Sequence, residues 1–286
     1  MRKTALIFDS TAIIAEEHIK KYDISFVSLN VAIEGVNFRA LDINEEEFKN
    51  KFYTYKSVKS GSPSVFEFIS AINDKFDKGY KEVVVITLSS GLSSTHAVAA
   101  CAIENLSPER KAKTFLHDSN NASVGIEPLM YSLLELLDKD PSAAELIKAL
   151  EVRAPQSRVL FEIDNLRHLY RGGRLNPLKY FIGMALKIKP LIEFENGELK
   201  VIGQNRSRRK TMDTILGKID GFVQKFKNVY VGLFTYATDD NIFKAIYGII
   251  KERWPQIKIN FTKKICPVFT THLGIDGYSV AVVSYN

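Results

Sequence analysis

Residues 89–95 read Ser-Ser-Gly-Leu-Ser-Ser-Thr, so five of these seven side chains carry a hydroxyl group. The stretch follows the apolar run 83–86, which is typical of a strand buried on both faces of a sheet. Residues 97–106 follow it and are compatible with a helix. Because the first turn of a helix presents free N–H groups and a partial positive charge, this loop is expected to bind an anion. Any single one of these serines is explained more simply as an ordinary N-cap, but five hydroxyl groups at one strand end favour a ligand site.

Two other predicted strands end in similar polar turns. Asp9-Ser10 follows the strand predicted at 4–8, and Asp118-Ser119 follows the strand predicted at 114–117. Strands alternate with helices in this half, which predicts a mainly parallel, Rossmann-like sheet with right-handed crossovers. The three polar turns then share the carboxyl edge of the sheet, where α/β folds bind their ligands.

The pattern changes near residue 157. Asn196-Gly197 lies between two apolar stretches and is a strong hairpin signal, which indicates a second, mixed α/β domain. We therefore predict an α/β protein of two domains, 1–157 and 158–286. Within the first, residues 25–33 are predicted to form one extended stretch, and the segment 57–63, which contains a glycine and a proline, is predicted to be a loop.

Composition narrows the class of protein. The chain has 286 residues, of which 45% are apolar and 25% charged, as in ordinary globular proteins. No apolar run approaches the roughly 18 residues of a membrane span, and Asp9 interrupts the first apolar stretch too early for a signal peptide. The two cysteines, Cys101 and Cys266, have no CxxC spacing. These features predict a cytoplasmic protein without disulfides.

The charge is divided unevenly between the two halves. Residues 1–157 carry a net charge of −4 and residues 158–286 carry +10. A basic half is compatible with a phosphate group, an acidic partner, nucleic acid or a membrane surface, and equally with a solvated surface. No helix-turn-helix, zinc or RNP-like pattern is present, so nucleic acid is not an expected partner.

Five short motifs follow one another along the chain. They are Asp9-Ser10-Thr11-Ala12, the serine-rich stretch 89–95, Asp118-Ser119 with Ser123 and Gly125, Leu169-Tyr170-Arg171-Gly172-Gly173-Arg174, and Leu186-Lys187-Ile188-Lys189-Pro190. In this order and spacing the chain resembles, over nearly its whole length, the DegV family. This family comprises bacterial fatty-acid-binding proteins and includes the acyl-carrying subunit of fatty acid kinase.

The chain departs from the family pattern at several positions. Ser94 and Glu127 stand where the family usually has glycine, and the block 60–64, Ser-Gly-Ser-Pro-Ser, replaces Thr-Ser-Gln-Pro-Ser. The block 270–277 keeps His272 of a Gly-Thr-His-x-Gly-Pro-Gly pattern but adds the carboxylate of Asp276. These differences concern the region that would hold the ligand head group, and they are compatible with a different ligand preference.

The resemblance implies a non-enzymatic role. A long-chain fatty acid would lie between the two domains, and the chain would present its carboxylate to a separate fatty acid kinase for conversion to an acyl phosphate. Neither a cofactor nor a metal ion is implied, and transient contact with a membrane surface is compatible with such a role. The residues expected to bind the carboxylate are Ser93, Ser94 and His272, together with Ser60 or Ser62 from the preceding loop.

Three arginines are candidates for contact with phosphate or with the kinase. They are Arg171, Arg174 and Arg206, and the planar guanidinium fork suits phosphate oxygens. Arg206 opens the basic run 206–210 at a predicted helix start, where cations are unfavourable unless an anion comes close. A solvated basic face is the equally simple alternative.

A serine hydrolase that uses Ser93 and His272 is the alternative function. A nucleophile elbow requires Gly-x-Ser-x-Gly, and residues 91–95, Gly-Leu-Ser-Ser-Thr, lack the second glycine. A nucleotide-binding P-loop pattern is absent from the sequence. The sequence therefore favours lipid binding over hydrolysis or phosphoryl transfer by this chain.

Overall fold

The computed structural model describes residues 2–163, 166–175, 189–205, 208–235 and 241–285. Within these ranges no helix is both long and apolar enough to cross a membrane. The strands are β1 (Thr4–Asp9), β2 (Ser25–Val27), β3 (Asn30–Ile33), β4 (Val36–Arg39), β5 (Val58–Gly61), β6 (Glu82–Thr87), β7 (Thr114–Asp118), β8 (Ser157–Ile163), β9 (Lys189–Glu195), β10 (Glu198–Asn205), β11 (Val229–Thr235), β12 (Lys258–Thr262) and β13 (Gly277–Ser284). The helices are α1 (Glu16–Lys21), α2 (Glu45–Lys51), α3 (Val65–Asp77), α4 (Thr95–Glu104), α5 (Pro108–Lys111), α6 (Ile126–Leu137), α7 (Ala143–Arg153), α8 (Arg167–Arg171), α9 (Arg208–Lys225), α10 (Asn241–Arg253) and α11 (Pro267–Leu273).

The first sheet is parallel and has the order β2-β1-β6-β7. Its central strand β6 carries three fully buried valines, residues 83–85, because helices cover both faces. Phe68 of α3 and Ala99 of α4 pack on one face, and Leu129 of α6 and Leu146 of α7 pack on the other. The predicted α/β class and the parallel sheet are confirmed.

A small antiparallel sheet of order β4-β3-β5 was not predicted. Residues 25–33 form two strands in different sheets rather than one extended stretch. The loop predicted at 57–63 is also wrong over residues 58–61, since β5 pairs with β3 and places Ser60 opposite Val31. This pairing joins segments about 30 residues apart, so local glycine and proline signals do not reveal it.

The second large sheet is mixed and has the order β10-β9-β8-β13-β11-β12. Its neighbouring strands are antiparallel except for β11 and β12. The predicted hairpin at Asn196-Gly197 is present, and both residues have positive φ angles of 51° and 81°, as a tight hairpin turn requires. The proposed boundary between 157 and 158 stays a prediction; β8 begins at Ser157.

One apolar cluster joins the first half of the chain to the second. It combines Leu29 and Val31 with Phe161, Phe194 and Val268 from the second half of the chain. The loops at the carboxyl edge of the parallel sheet therefore face apolar side chains from β8, β9 and α11. The candidate site lies at this junction.

Candidate ligand site

Two aspartates at strand ends hold the serine-rich loop. Asp9 is fully buried at the end of β1, and its carboxylate accepts hydrogen bonds from the Leu88 N–H at 2.5 Å, the Thr11 N–H at 2.9 Å and the Thr11 hydroxyl at 2.6 Å. Burial raises the pKa of Asp9, and these hydrogen bonds oppose the rise. Asp118, at the end of β7, accepts from the Ser90 N–H at 3.1 Å. Asp9, Leu88, Asp118 and Ser90 all lie at the carboxyl edge of the parallel sheet. The two aspartates therefore hold the serine-rich loop at the point where the neighbouring strands β1, β6 and β7 end.

Four predicted serines converge beside this loop. Ser62 follows β5, and its Oγ lies 2.8 Å from Ser94 Oγ and 3.3 Å from Ser93 Oγ. Ser93 Oγ lies 2.9 Å from Thr95 Oγ1 at the start of α4. Ser60 lies on β5 itself. The structure thus brings the hydroxyl groups of two loops, remote in sequence, to the N-terminus of α4, where an anionic head group is favoured.

His272 reaches the same place from the second half of the chain. It lies on α11, and its Nε2 is 2.7 Å from Ser60 Oγ. Its Nδ1 is buried without a hydrogen-bond partner among the described residues. Burial, with smaller contributions from the nearby Arg174 and His168, lowers the pKa of His272 to about 4. The imidazole is therefore neutral near pH 7 and offers one N–H donor.

The Gly-Gly-Arg loop after α8 packs directly against this histidine. A Cβ on Gly172 would lie 2.3 Å from Nδ1 of His272, closer than any real contact. Arg174 extends from the same loop and donates from Nε to the Leu92 carbonyl at 3.0 Å and from a terminal nitrogen to the Gly172 carbonyl at 2.5 Å. The loop therefore positions both His272 and a guanidinium beside the serine loop, a role that the motif alone does not reveal.

An apolar cavity extends inward from this polar cluster. The space between its lining atoms is about 870 Å³, a volume that includes open solvent at its mouth. Ser60, Ser62, Ser93, Arg174 and His272 lie along it together with many apolar side chains. The apolar walls include Leu29, Leu88, Phe161, Phe194, Val268 and Phe269. The cavity suits a ligand with one polar end and a long apolar body.

A basic groove continues outward from the same cluster. Ser60, Arg174 and His272 line both the cavity and the groove. The groove adds the cations of Lys56, Lys59, Arg167 and Arg171, and no carboxylate occurs among its described lining residues. Such a groove favours a multiply charged anion just outside the cavity.

Two residues that the sequence analysis named are not part of the described arrangement. Arg206 lies outside the described residues. Asp276 is partly buried between α11 and β13, and neither the cavity nor the groove includes it among the described lining residues. The structure also adds a cavity-lining hydroxyl, that of Ser123, which the sequence presented only as part of a motif.

The pairing required by a serine hydrolase is not formed within the described part of the chain. Ser93 Oγ contacts Ser62 and Thr95, whereas His272 Nε2 contacts Ser60. No described carboxylate receives a hydrogen bond from His272 Nδ1, and a triad needs such a group to orient the base. The geometry gives no support to the alternative function.

Comparison with known proteins agrees with the architecture. The family model of the DegV family, described as uncharacterised protein, matches residues 3–285. A DegV domain-containing protein of Staphylococcus aureus is 30% identical over 286 residues, which is 99% of each chain.

Solved structures show the same fold. The DegV protein of Bacillus subtilis, described as a fatty acid binding protein, superimposes with a TM-score of 0.83 at 25% identity and covers 99% of this chain and 100% of that chain. A stearic acid-binding protein of Eubacterium ventriosum gives a TM-score of 0.86 at 21% identity, over 99% of this chain and 98% of that chain. The match of sequence, motifs and fold extends over nearly the whole length, and this chain belongs to the DegV family.

Proposed function

We propose that the protein binds one long-chain fatty acid, with the tail in the cavity and the carboxylate at the serine and histidine cluster. The single observation that carries the proposal is the continuity of an apolar cavity with a group of hydroxyl donors at one end. Each buried CH₂ group contributes about 0.8 kcal/mol before ordering costs. A long tail therefore supplies the affinity, and the polar end fixes the orientation.

The head group needs donors because an unpaired buried carboxylate is strongly unfavourable. Ser60, Ser93 and neutral His272 present hydroxyl and N–H groups at the mouth of the cavity. Ser62 and Ser94, which contact each other, complete the set of donors. A carboxylate that enters between β5 and α4 would replace the Ser60–His272 contact with two hydrogen bonds of its own.

The basic groove supports the finer proposal that the bound carboxylate is presented to a separate fatty acid kinase. Conversion to an acyl phosphate adds negative charge outside the cavity, where Arg171 and Arg174 line the groove. We assign these two arginines, with Arg206, to the phosphate or the kinase. The chain itself then contributes binding and presentation, and the kinase contributes the chemistry.

The same proposal accounts for the division of the chain. Ser60 and Ser93 come from 1–157, and Phe194 and His272 come from 158–286, so the cavity lies between the two proposed domains. A cytoplasmic location, with transient contact at a membrane surface where fatty acids are exchanged, follows as part of the proposal.

Lipid extraction of the purified protein followed by mass spectrometry tests the proposal. We expect a long-chain fatty acid, and delipidated protein is expected to bind added palmitate or stearate with a dissociation constant of about 1 μM or below. Protein that neither carries nor binds any acyl chain would refute the proposal.

The head-group assignment is tested with Ser93→Ala. This change is expected to weaken fatty acid binding by roughly 1–3 kcal/mol, because a charged acceptor loses one donor. Ser132→Ala serves as the control, since Ser132 is a buried serine of α6 that bonds to the Leu129 carbonyl and does not line the cavity. Equal affinities for the two variants would show that Ser93 does not contact the carboxylate.

A further inference from the structure

A buried hydroxyl group lies in the wall of the cavity. Ser123 is only 2% exposed, and its Oγ has no hydrogen-bond partner among the described residues. It lines the same cavity as the proposed carboxylate site. A buried hydroxyl without a partner is unfavourable, because it has lost its hydrogen bonds to water.

The backbone holds this hydroxyl in place. Ser123 has a φ angle of 50°, an uncommon conformation for a residue other than glycine. It begins a short 3₁₀ turn, Ser123–Gly125, which is closed by a hydrogen bond from the Gly125 N–H to the Ala122 carbonyl at 3.0 Å. A Cβ on Gly125 would lie 2.7 Å from the Val159 side chain, so the turn is packed closely on β8.

The surrounding wall is apolar. Ala122, Val124, Val159 and Phe161 line the cavity and are hydrocarbon side chains. Ser279, which is paired in register with Phe161, provides a second lining hydroxyl on β13. A saturated acyl chain that passes Ser123 offers its hydroxyl no hydrogen bond.

Ser123 is separated from the carboxylate site. The Ser89 N–H donates to the Asn121 carbonyl at 2.8 Å, and the Ser93 N–H donates to the Ser89 carbonyl at 3.2 Å. Two backbone hydrogen bonds and the segment from Asn121 to Ser123 therefore lie between the two serines, and no hydrogen bond joins their hydroxyl groups among the described residues. An acyl chain anchored at Ser93 would meet Ser123 part-way along its length.

We propose that Ser123 recognises a hydroxyl group in the middle of the acyl chain, so that the cavity prefers mid-chain hydroxylated fatty acids over unmodified ones. The inference rests on the proposed fatty acid site and names a class of ligand for it. A hydroxyl on the ligand both donates and accepts, so it satisfies the buried Oγ whichever way the serine proton points.

The test compares the affinities of delipidated protein for stearate, for stearate hydroxylated in mid-chain and for stearate hydroxylated beside the carboxylate. We expect about tenfold tighter binding of the mid-chain compound, the gain for one buried hydrogen bond. Ser123→Gly removes the hydroxyl and relaxes the left-handed backbone, and Ser123→Ala removes it without that relaxation. Both variants are expected to lose the preference, while Ser279→Ala keeps it.

The other possible results would overturn either the role of Ser123 or the proposed fatty acid binding on which it rests. Equal affinities of the unaltered protein for the three compounds would overturn the role of Ser123 and leave fatty acid binding intact. A preference that persists in both Ser123 variants would assign it to another group and overturn the inference. Failure of the unaltered protein to bind any of the three would refute the proposed function itself.

Discussion

At the carboxyl edge of the parallel sheet, the serine loop is held by hydrogen bonds to carboxylates that end neighbouring strands. On the side that the second half of the chain contributes to the same polar cluster, His272 has one hydrogen bond among the described residues, to Ser60, and its ring otherwise packs against Gly172. Each motif on the first side is a strand end followed by a polar turn, although the hydrogen bonds join different strands. The second side depends on contact between Gly172 and His272, about 100 residues apart, and no such motif marks it. Substitutions on the first side are expected to lower mainly the free energy of unfolding. Substitutions on the second side are expected to lower fatty acid affinity as well.

Asp9→Ala is expected to have the largest effect. It leaves the buried N–H groups of Leu88 and Thr11 and the Thr11 hydroxyl without their acceptor, which predicts a loss of about 3–5 kcal/mol in the free energy of unfolding. Asp118→Ala removes acceptors from two exposed N–H groups, those of Ser90 and Asn120, and is expected to cost about 1 kcal/mol. Urea unfolding measures both, and equal losses would contradict the special role given to Asp9.

Gly172→Ala tests the packed side. The added methyl group must displace His272, which predicts a loss of about 1–3 kcal/mol in stability and at least a tenfold loss of fatty acid affinity. Gly217→Ala is the control, because nothing lies within 4 Å of a Cβ there and alanine favours the helix by about 1 kcal/mol. Unchanged fatty acid affinity in Gly172→Ala would show that the position of His272 is not needed for binding.

Protonation of His272 is expected to make the free energy of unfolding depend on pH. Because the pKa of His272 is lowered from 6.5 to about 4, the unfolded chain binds a proton at this residue between these values and the folded protein does not. Stability should therefore fall as pH decreases from about 6.5 to 4, with His272 contributing about 3 kcal/mol.

His272→Gln isolates this contribution, since lowered pKa values at His117 and His168 act in the same direction. The variant is expected to lose less stability than the unaltered protein over the same pH interval. Identical pH profiles from urea unfolding would mean that His272 is protonated as readily in the folded protein as in the unfolded chain.

The extent to which the sequence predicted the site follows the same division. Residues 89–95, Asp9 and Asp118 were identified because a strand, a polar turn and a helix are adjacent in sequence. The strand β5 and the helix α11, which carry Ser60 and His272, were not predicted as elements; only the family motifs pointed to these two residues. Their positions depend on pairing with β3 and on contact with α8, and no local pattern encodes such contacts.

The smallest effect on binding is expected for Arg171→Ala. Arg171 is exposed at the end of α8 and lines the groove but not the cavity, so fatty acid affinity should change by no more than about 0.5 kcal/mol. Acyl-phosphate formation with the fatty acid kinase of the same organism should fall, because a group that meets the added phosphate acts on transfer rather than on ground-state binding. Arg206→Ala is expected to behave in the same way.

Arg174→Ala is the matched comparison for both arginines. Arg174 lines the cavity as well as the groove and bonds to the Leu92 carbonyl, so its removal should reduce fatty acid affinity and acyl-phosphate formation together. Equal losses of fatty acid affinity and of acyl-phosphate formation in Arg171→Ala would place Arg171 at the carboxylate. Loss of neither would identify the basic groove as solvated surface and would remove the electrostatic support for a kinase at the mouth of the cavity.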